Sequence, residues 1–260
     1  VYNLIQLFHT MNEPYYIVSD NHFSMNDDLK EKDRREKIFK VFDKIKTNGK
    51  GSLIIGGDFF DYWFEYKNQI PKGYDSILSA LSDLNNNNIK IHYIAGNHDF
   101  WDFGYLNSKT GLNFYKSDLS LKSNDKKILI THGDGILKSD VGYRIMKKII
   151  RSKLFIFLFN LLPPSLTCSL AEKISKSSSD YNHHDRYKKI IFKDTLDYSK
   201  NKWEVGYDIV CIGHYHQTGI IKHKNKEIIY LGDWLSKFTV TCIKNGKSWQ
   251  GDWKEFLNLS

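Results

Sequence analysis

The chain has 260 residues, of which 41% are apolar, 26% charged and 15% aromatic; this composition suits one large folded domain and excludes a disordered or low-complexity chain. The formal net charge of +8 is almost all lysine, since arginine occurs five times; it favours anionic partners, although lysine-rich usage alone, with Asn85 to Asn88 as its companion, gives the same surplus. Three widely spaced cysteines (Cys168, Cys211, Cys242) and no apolar run near the roughly 18 residues of a spanning helix exclude a disulfide framework and a helical membrane bundle.

The cysteine usage points to a reducing cytoplasm. Val1 to Thr10 lacks the basic start and cleavage site of a secretory signal and reads as a peripheral extension, with a single domain expected over residues 11–260.

Along the chain one short phrase recurs. An apolar run ends in one or two small residues and then a metal-ligating side chain. It first appears as Tyr15-Tyr16-Ile17-Val18-Ser19 before Asp20. A helix is predicted from Asp27 to Lys46, with Ile38, Phe42 and Ile45 at helical spacing beneath a charged face. The phrase returns as Leu53-Ile54-Ile55-Gly56-Gly57 before Asp58. Ile77, Leu78, Leu81 and Leu84 predict a second helix over 75–84, and Ile91 to Gly96 then leads into Asn97. Ile128 to Thr131 leads into His132. Residues 136 to about 200 break the rhythm and read as a helical cap: a basic and apolar stretch from Arg144 to Lys153, the apolar run Leu154 to Leu162, Pro163-Pro164, a further helix, and a loop from Lys176 to Asp185. Ile209 to Gly213 before His214 is the fifth instance, and further strands are expected at Glu227 to Leu231 and Phe238 to Ile243, with a turn at Asn245-Gly246. Runs of this kind are buried strands, and alternation with helices predicts an α/β layered fold.

The strand ends carry the chemistry. In open α/β sheets ligands bind beyond the carboxyl ends of strands, so five such ends point to one shared site. Asp20 and His22 stand two residues apart, which lets both point the same way from an extended segment. Asp58 offers a carboxylate able to bridge two cations; Asn97 adds an amide oxygen, and His132, His214 and His216 add imidazoles. Alone, such an Asp is more often a helix cap and such a His a hydrogen-bonded core residue, but five of the ten histidines fall inside these motifs. The set contains oxygen and nitrogen donors and no thiolate, which suits Mn, Fe or Zn, and it is large enough for two ions sharing Asp58. His98 need not bind metal and can act on the substrate as a proton or hydrogen-bond donor, or orient a neighbour; Asp61 reads as a residue that orients a ligand. Tyr62, Trp63 and Trp101 can stack a base, line an acyl groove or pack the core.

The ordered motifs Asp-x-His, Gly-Asp-x-x-Asp, Gly-Asn-His-Asp, His and Gly-His-x-His over residues 20–216 resemble the calcineurin-like metallophosphoesterases. The resemblance implies a sandwich of two mixed β-sheets flanked by helices. It implies one ion held by Asp20, His22, Asp58 and His216, and a second held by Asp58, Asn97, His132 and His214. A narrower resemblance rests on Asp58-Phe59-Phe60-Asp61-Tyr62-Trp63, His132-Gly133-Asp134 with Asp140 and Tyr143, Gly213-His214-Tyr215-His216-Gln217 and Leu231-Gly232-Asp233-Trp234. These look like UDP-2,3-diacylglucosamine hydrolases of lipid A synthesis. That resemblance implies Mn2+, cleavage of a nucleotide-linked glycolipid to UMP and a lipid 1-phosphate, and a cytoplasmic enzyme peripherally associated with the inner membrane. It also implies substrate contacts at Asp140 and Tyr143 and a supporting role for Asp134. The best-known branch of that family has Arg where this chain has His98.

Basic residues beside the apolar run, with Leu154, Phe155, Phe157 and Leu158 as lining of an acyl groove or membrane contact, fit a lipid substrate; an ordinary packed amphipathic helix has the same pattern. A soluble nucleotide phosphodiesterase or a phosphoprotein phosphatase would share the metal set without needing this cap. A non-catalytic scaffold would carry degraded ligands, whereas all seven are intact. No basic groove for nucleic acid and no obligate protein partner is evident.

Overall fold

The computed structural model describes residues 11–65, 71–159, 161 and 185–259. Among the described residues, eleven strands form two sheets. The first contains β1 (Tyr15–Val18), β2 (Ser52–Ile55), β3 (Lys90–Ile94), β4 (Asn113–Tyr115), β10 (Thr239–Lys244) and β11 (Lys247–Asp252), in the order β11-β10-β1-β2-β3-β4. The second contains β5 (Leu119–Ser123), β6 (Lys126–Thr131), β7 (Ile209–Ile212), β8 (Thr218–His223) and β9 (Lys226–Leu231), in the order β5-β6-β7-β9-β8. β1, β2, β3 and β4 run parallel, as do β6, β7 and β9, while β10, β11, β5 and β8 pair antiparallel. Both sheets are therefore mixed.

Side chains alternate across each strand, and the two faces go to different cores. Tyr15, Ile17, Ile54, Ile94 and Ile243 of the first sheet meet Ile128, Ile130, Ile209, Cys211, Ile229 and Leu231 of the second in a shared layer between them. Tyr16, Val18, Leu53, Ile55, Ile91 and Tyr93 face outward onto α1 (Leu29–Asn48), α2 (Asp75–Asn86), α3 (Tyr105–Thr110) and α7 (Trp253–Leu257). On the far side, Leu129, Val210, Ile212, Ile228 and Tyr230 pack with Ile191 of α6 (Asp185–Glu204). Thr195 on α6 shares a 2.5 Å hydrogen bond with the Tyr230 hydroxyl. This helix is thus a layer of the sandwich, although the sequence groups most of it with the cap.

The first predicted helix is confirmed with shifted ends. Asp28 accepts from the Glu31 amide as an N-cap, and Gly49 closes the helix at φ 71°, donating to the Lys46 carbonyl. Its charged face is not all solvated: Glu31, Arg34 and Arg35 are buried. Asn245 and Gly246, at φ 52° and 70°, turn β10 into β11, as the Asn-Gly dipeptide predicts.

The segment expected as a cap begins with α4 (Val141–Ile150) and α5 (Lys153–Phe159), neither of which has a fully buried residue. Val1 to Thr10, Pro163-Pro164, the helix expected after them and the loop from Lys176 lie outside the described residues; Asp185 begins α6. Among the described residues, no helix is long and apolar enough to cross a membrane.

The layered core makes a testable contrast. Ile54 is fully buried between the sheets, so Ile54→Ala should cost about 2–5 kcal/mol of stability. Asp28→Ala, which removes only a cap, should cost about 1 kcal/mol. Urea unfolding monitored by circular dichroism distinguishes them; equal losses would contradict this assignment of the core.

Candidate metal centre

The parallel strands of both sheets deliver their carboxyl ends to one place. The backbone there is unusual. Asp20, His22, Asp58, His214 and His216 all have left-handed φ, from 45° to 64°, a conformation that costs non-glycine residues about 1–3 kcal/mol each and clusters at functional sites. Hydrogen bonds between neighbouring loops hold these turns. The Asp20 amide donates to Gly57 O at 3.0 Å and the His22 amide to Asp58 O at 2.9 Å. The Asp20 carboxylate accepts from Ser19 Oγ at 2.7 Å and from the His214 amide at 3.0 Å, joining the first sheet to the second. Small residues are required by proximity: a Cβ on Gly96 would collide with Asp58 Oδ1, and one on Gly213 would lie 2.6 Å from Ser19 Oγ.

Asp58 is central to the cluster. Its Oδ1 accepts from the His98 amide at 2.9 Å. Its Oδ2 lies 3.2 Å from His132 Nε2 and 3.9 Å from Nε2 of both His22 and His98. His132 Nε2 is also 3.0 Å from Asn97 Oδ1, while its Nδ1 contacts Gly56 O at 3.0 Å. A carbonyl can only accept, so Nδ1 carries the hydrogen and Nε2 faces the cluster. His216 Nε2 stands 3.6 Å from Asp20 Oδ1, and the His214 ring centre is 5.2 Å from that of His132. His98 is oriented in the same manner, its Nδ1 donating to Asp61 O at 2.7 Å.

Electrostatics follow from this crowding. Burial alone would push the Asp58 carboxyl up, but His132, His98 and His22 hold it well below the usual carboxylate range. Burial disfavours charge on His132, yet the Asp58 carboxylate prevails and pushes the ring up to about 10. His214 goes the other way, to about 3, through burial and then the charge on His132.

These residues fit divalent cations. Among the described residues, three groups bring one donor atom from each member within 4.8 Å of the others: Asp20, His22 and His216; Asp58, His132 and His214; and His22, Asp61 and His98. The buried Nε2 of His22 makes no hydrogen bond among the described residues, as expected of a nitrogen kept for a cation. His132 has the arrangement typical of a metal ligand, with its other nitrogen fixed by a carbonyl. All seven ligands expected from the sequence are gathered here with His98. The group containing Asp61 was not expected, and the Asp61 side chain is 46% exposed.

The remaining expected residues are dispersed. Asp134 is buried beside the cluster, accepting from Tyr143 Oη at 2.9 Å, Lys147 Nζ at 2.7 Å and Arg151 Nη2 at 3.1 Å. Arg151 Nη2 also donates to Gly96 O at 2.9 Å, so α4 is tied to the metal-site loops. The Tyr143 ring is 6.2 Å from that of His214. Asp140 precedes α4 and makes no side-chain cap to it. Leu154, Phe157 and Leu158 are exposed on α5, whereas Phe155 is half-buried and stacks on Phe159. Trp63 is fully buried against Phe60 and is unavailable to a base. Sequence reasoning missed Lys147 and Arg151 as partners of Asp134, and also Asp99. That carboxylate accepts from the Gly96 and Phe59 amides at 2.7 and 2.8 Å and from Tyr93 Oη, fastening two ligand loops together. Its place in Gly96-Asn97-His98-Asp99 was the available signal.

The model of the calcineurin-like phosphoesterase family matches residues 14–218. The chain is 26% identical over 241 residues to a UDP-2,3-diacylglucosamine hydrolase of Porphyromonas gingivalis, covering 86% of this chain and 92% of that one. It is 27% identical over 223 residues to a protein of the same name from Histophilus somni, covering 84% and 91%. A solved structure of an archaeal phosphodiesterase aligns over 92% of this chain and 98% of its own, with a TM-score of 0.47 and 15% identity. The chain belongs to the calcineurin-like phosphoesterase family and is a metal-dependent phosphoesterase.

Proposed function

We propose that the protein cleaves the diphosphate of UDP-2,3-diacylglucosamine, giving UMP and 2,3-diacylglucosamine 1-phosphate, at the cytoplasmic surface of the inner membrane. Asp20, His22, Asp58 and His216 would hold one divalent cation, and Asp58, Asn97, His132 and His214 would hold a second. Mn2+ suits these donors, as do Fe and Zn. When bound, such a pair supplies charge that polarises a phosphoryl group and lowers the pKa of water. His98, with Nδ1 committed to the Asp61 carbonyl, directs Nε2 toward the centre and in its protonated form donates to the phosphoryl oxygen or the leaving group. Asp61 steadies this arrangement from the rim.

The observation that carries the lipid reading is the surface of the cap beside the centre. Ile145, Ile149, Leu154 and Phe157 are each more than half exposed, amid Lys148 and Lys153, which are exposed as well. Exposed apolar area on this scale marks an interaction surface, and its basic surround suits an anionic head with an acyl tail or an acidic bilayer. Support also comes from the relatives named UDP-2,3-diacylglucosamine hydrolase, whose matches span most of both chains.

Four experiments test the proposal. Asp58→Ala should reduce bound metal and abolish turnover, and Asp61→Ala should be milder; full metal occupancy in the Asp58 variant would remove its bridging role. His98→Ala should keep the metals and lower kcat by about 10²–10⁴-fold, whereas unchanged kcat would make His98 structural. With Mn2+, hydrolysis of the lipid substrate in ¹⁸O-water should label UMP. Label in the lipid phosphate would reverse the site of attack, and cleavage of simple nucleotides without the lipid would favour a soluble phosphodiesterase. Polar replacements at Leu154 and Phe157 should impair the lipid reaction and spare a small phosphodiester; equal losses on both would mean damaged packing.

A further inference from the structure

The loop bearing Asp20 and His22 is held from behind by a buried cation. Arg34 lies on α1 and is 6% exposed. Its Nη2 donates to the carbonyls of Asn21 and His22, the latter at 3.0 Å, and its Nε donates to Trp234 O at 3.1 Å. Its Nη1 pairs with Glu31 Oε2 at 2.7 Å. The loop is also fastened from the front: the Asp20 and His22 amides donate to Gly57 and Asp58, and the Trp234 amide donates to Asp20 O at 3.0 Å. One guanidinium thus joins both halves of this framework, the ligand loop and the Trp234 segment.

Its charge argues for a geometric purpose. A fixed positive group near a cation site repels the ion, and Glu31 offsets that repulsion. What the guanidinium contributes is a rigid planar fork able to reach several carbonyls, which an ammonium on a flexible stem does not reproduce. Asp20 and His22 sit at φ 52° and 45°, and such strained turns persist only where surrounding bonds over-determine them.

We propose that Arg34 is a positioning residue for the ion site of Asp20, His22 and His216, fixing the turn that aims the first two at one cation. This rests on the metal assignment above and extends it to a residue outside every motif of the site. Arg35 provides the control. It shares Glu31, with Nε at 3.0 Å from Oε1, but its other bonds go to Ser24 O and Ser76 Oγ rather than to the ligand turn.

Arg34→Lys and Arg35→Lys are compared with the wild-type chain, first metal-free for folding, then titrated with Mn2+ by calorimetry and electron paramagnetic resonance. The wild type should bind two ions with a spin-coupled signal. Arg34→Lys should remain folded and bind one ion as before. Its second ion should bind about 10–100-fold more weakly, the usual effect of losing a residue that orients a metal ligand, and the coupled signal should appear only at high Mn2+. Arg35→Lys should match the wild type. Should Arg34→Lys fail to fold, the double variant Arg34→Gln with Glu31→Gln neutralises both members of the pair and is judged by the same titration. Wild-type affinity for both ions, equal weakening of both, or the same loss in Arg35→Lys would overturn the role. Fewer than two ions in the wild type would overturn the metal assignment itself, and the role of Arg34 with it.

Discussion

A carboxylate buried among imidazoles controls the architecture of this protein. Asp58 is 1% exposed, and a buried anion is costly unless cations or hydrogen bonds surround it. The His98 amide and the His132 ring provide part of that environment at 2.9 and 3.2 Å. To bring them there, loops from β2, β3 and β6 must touch, and these strands belong to two different sheets. The left-handed turns, the glycine before Asn97 and the fastening of two loops by Asp99 all follow from this demand. The geometry would be poor design for stability alone, because strain and like charges accumulate in one place. It is well suited to holding divalent cations, whose charge exceeds what histidines can supply.

The cap extends the same logic outward. Asp134, next to the cluster, is met by Tyr143 and Lys147 of α4 and by Arg151 just past its end, and Arg151 reaches on to the Gly96 carbonyl beside Asn97. The polar side of α4 is therefore anchored at the centre while Ile145 and Ile149 remain exposed. A substrate with a charged head and an apolar tail matches that polarity.

Much of the site was legible because its signals are local. Each strand end carries its ligand after the one or two small residues that close an apolar run, and each small residue marks a close approach. Parallel pairing then brings distant motifs together without further information. The buried Glu31, Arg34 and Arg35 were not legible, since a helix with charges on several faces looks solvated unless its tertiary partners are known. Arg34 bonds to a carbonyl 200 residues away. The edge strands β4, β5, β8 and β11 also escaped notice, as their runs are short or polar and gain order from pairing. Asp134 shows the same limit: its motif could be noticed, but not the lysine and arginine that close over it from a later helix.

Whether Asp58 joins two cations is decided by anomalous X-ray diffraction from crystals grown with Mn2+. Two anomalous peaks per chain are expected, with the Asp58 carboxylate touching both, Asp20, His22 and His216 around one, and Asn97, His132 and His214 around the other. A single ion, or two ions with Asp58 touching neither, would contradict it.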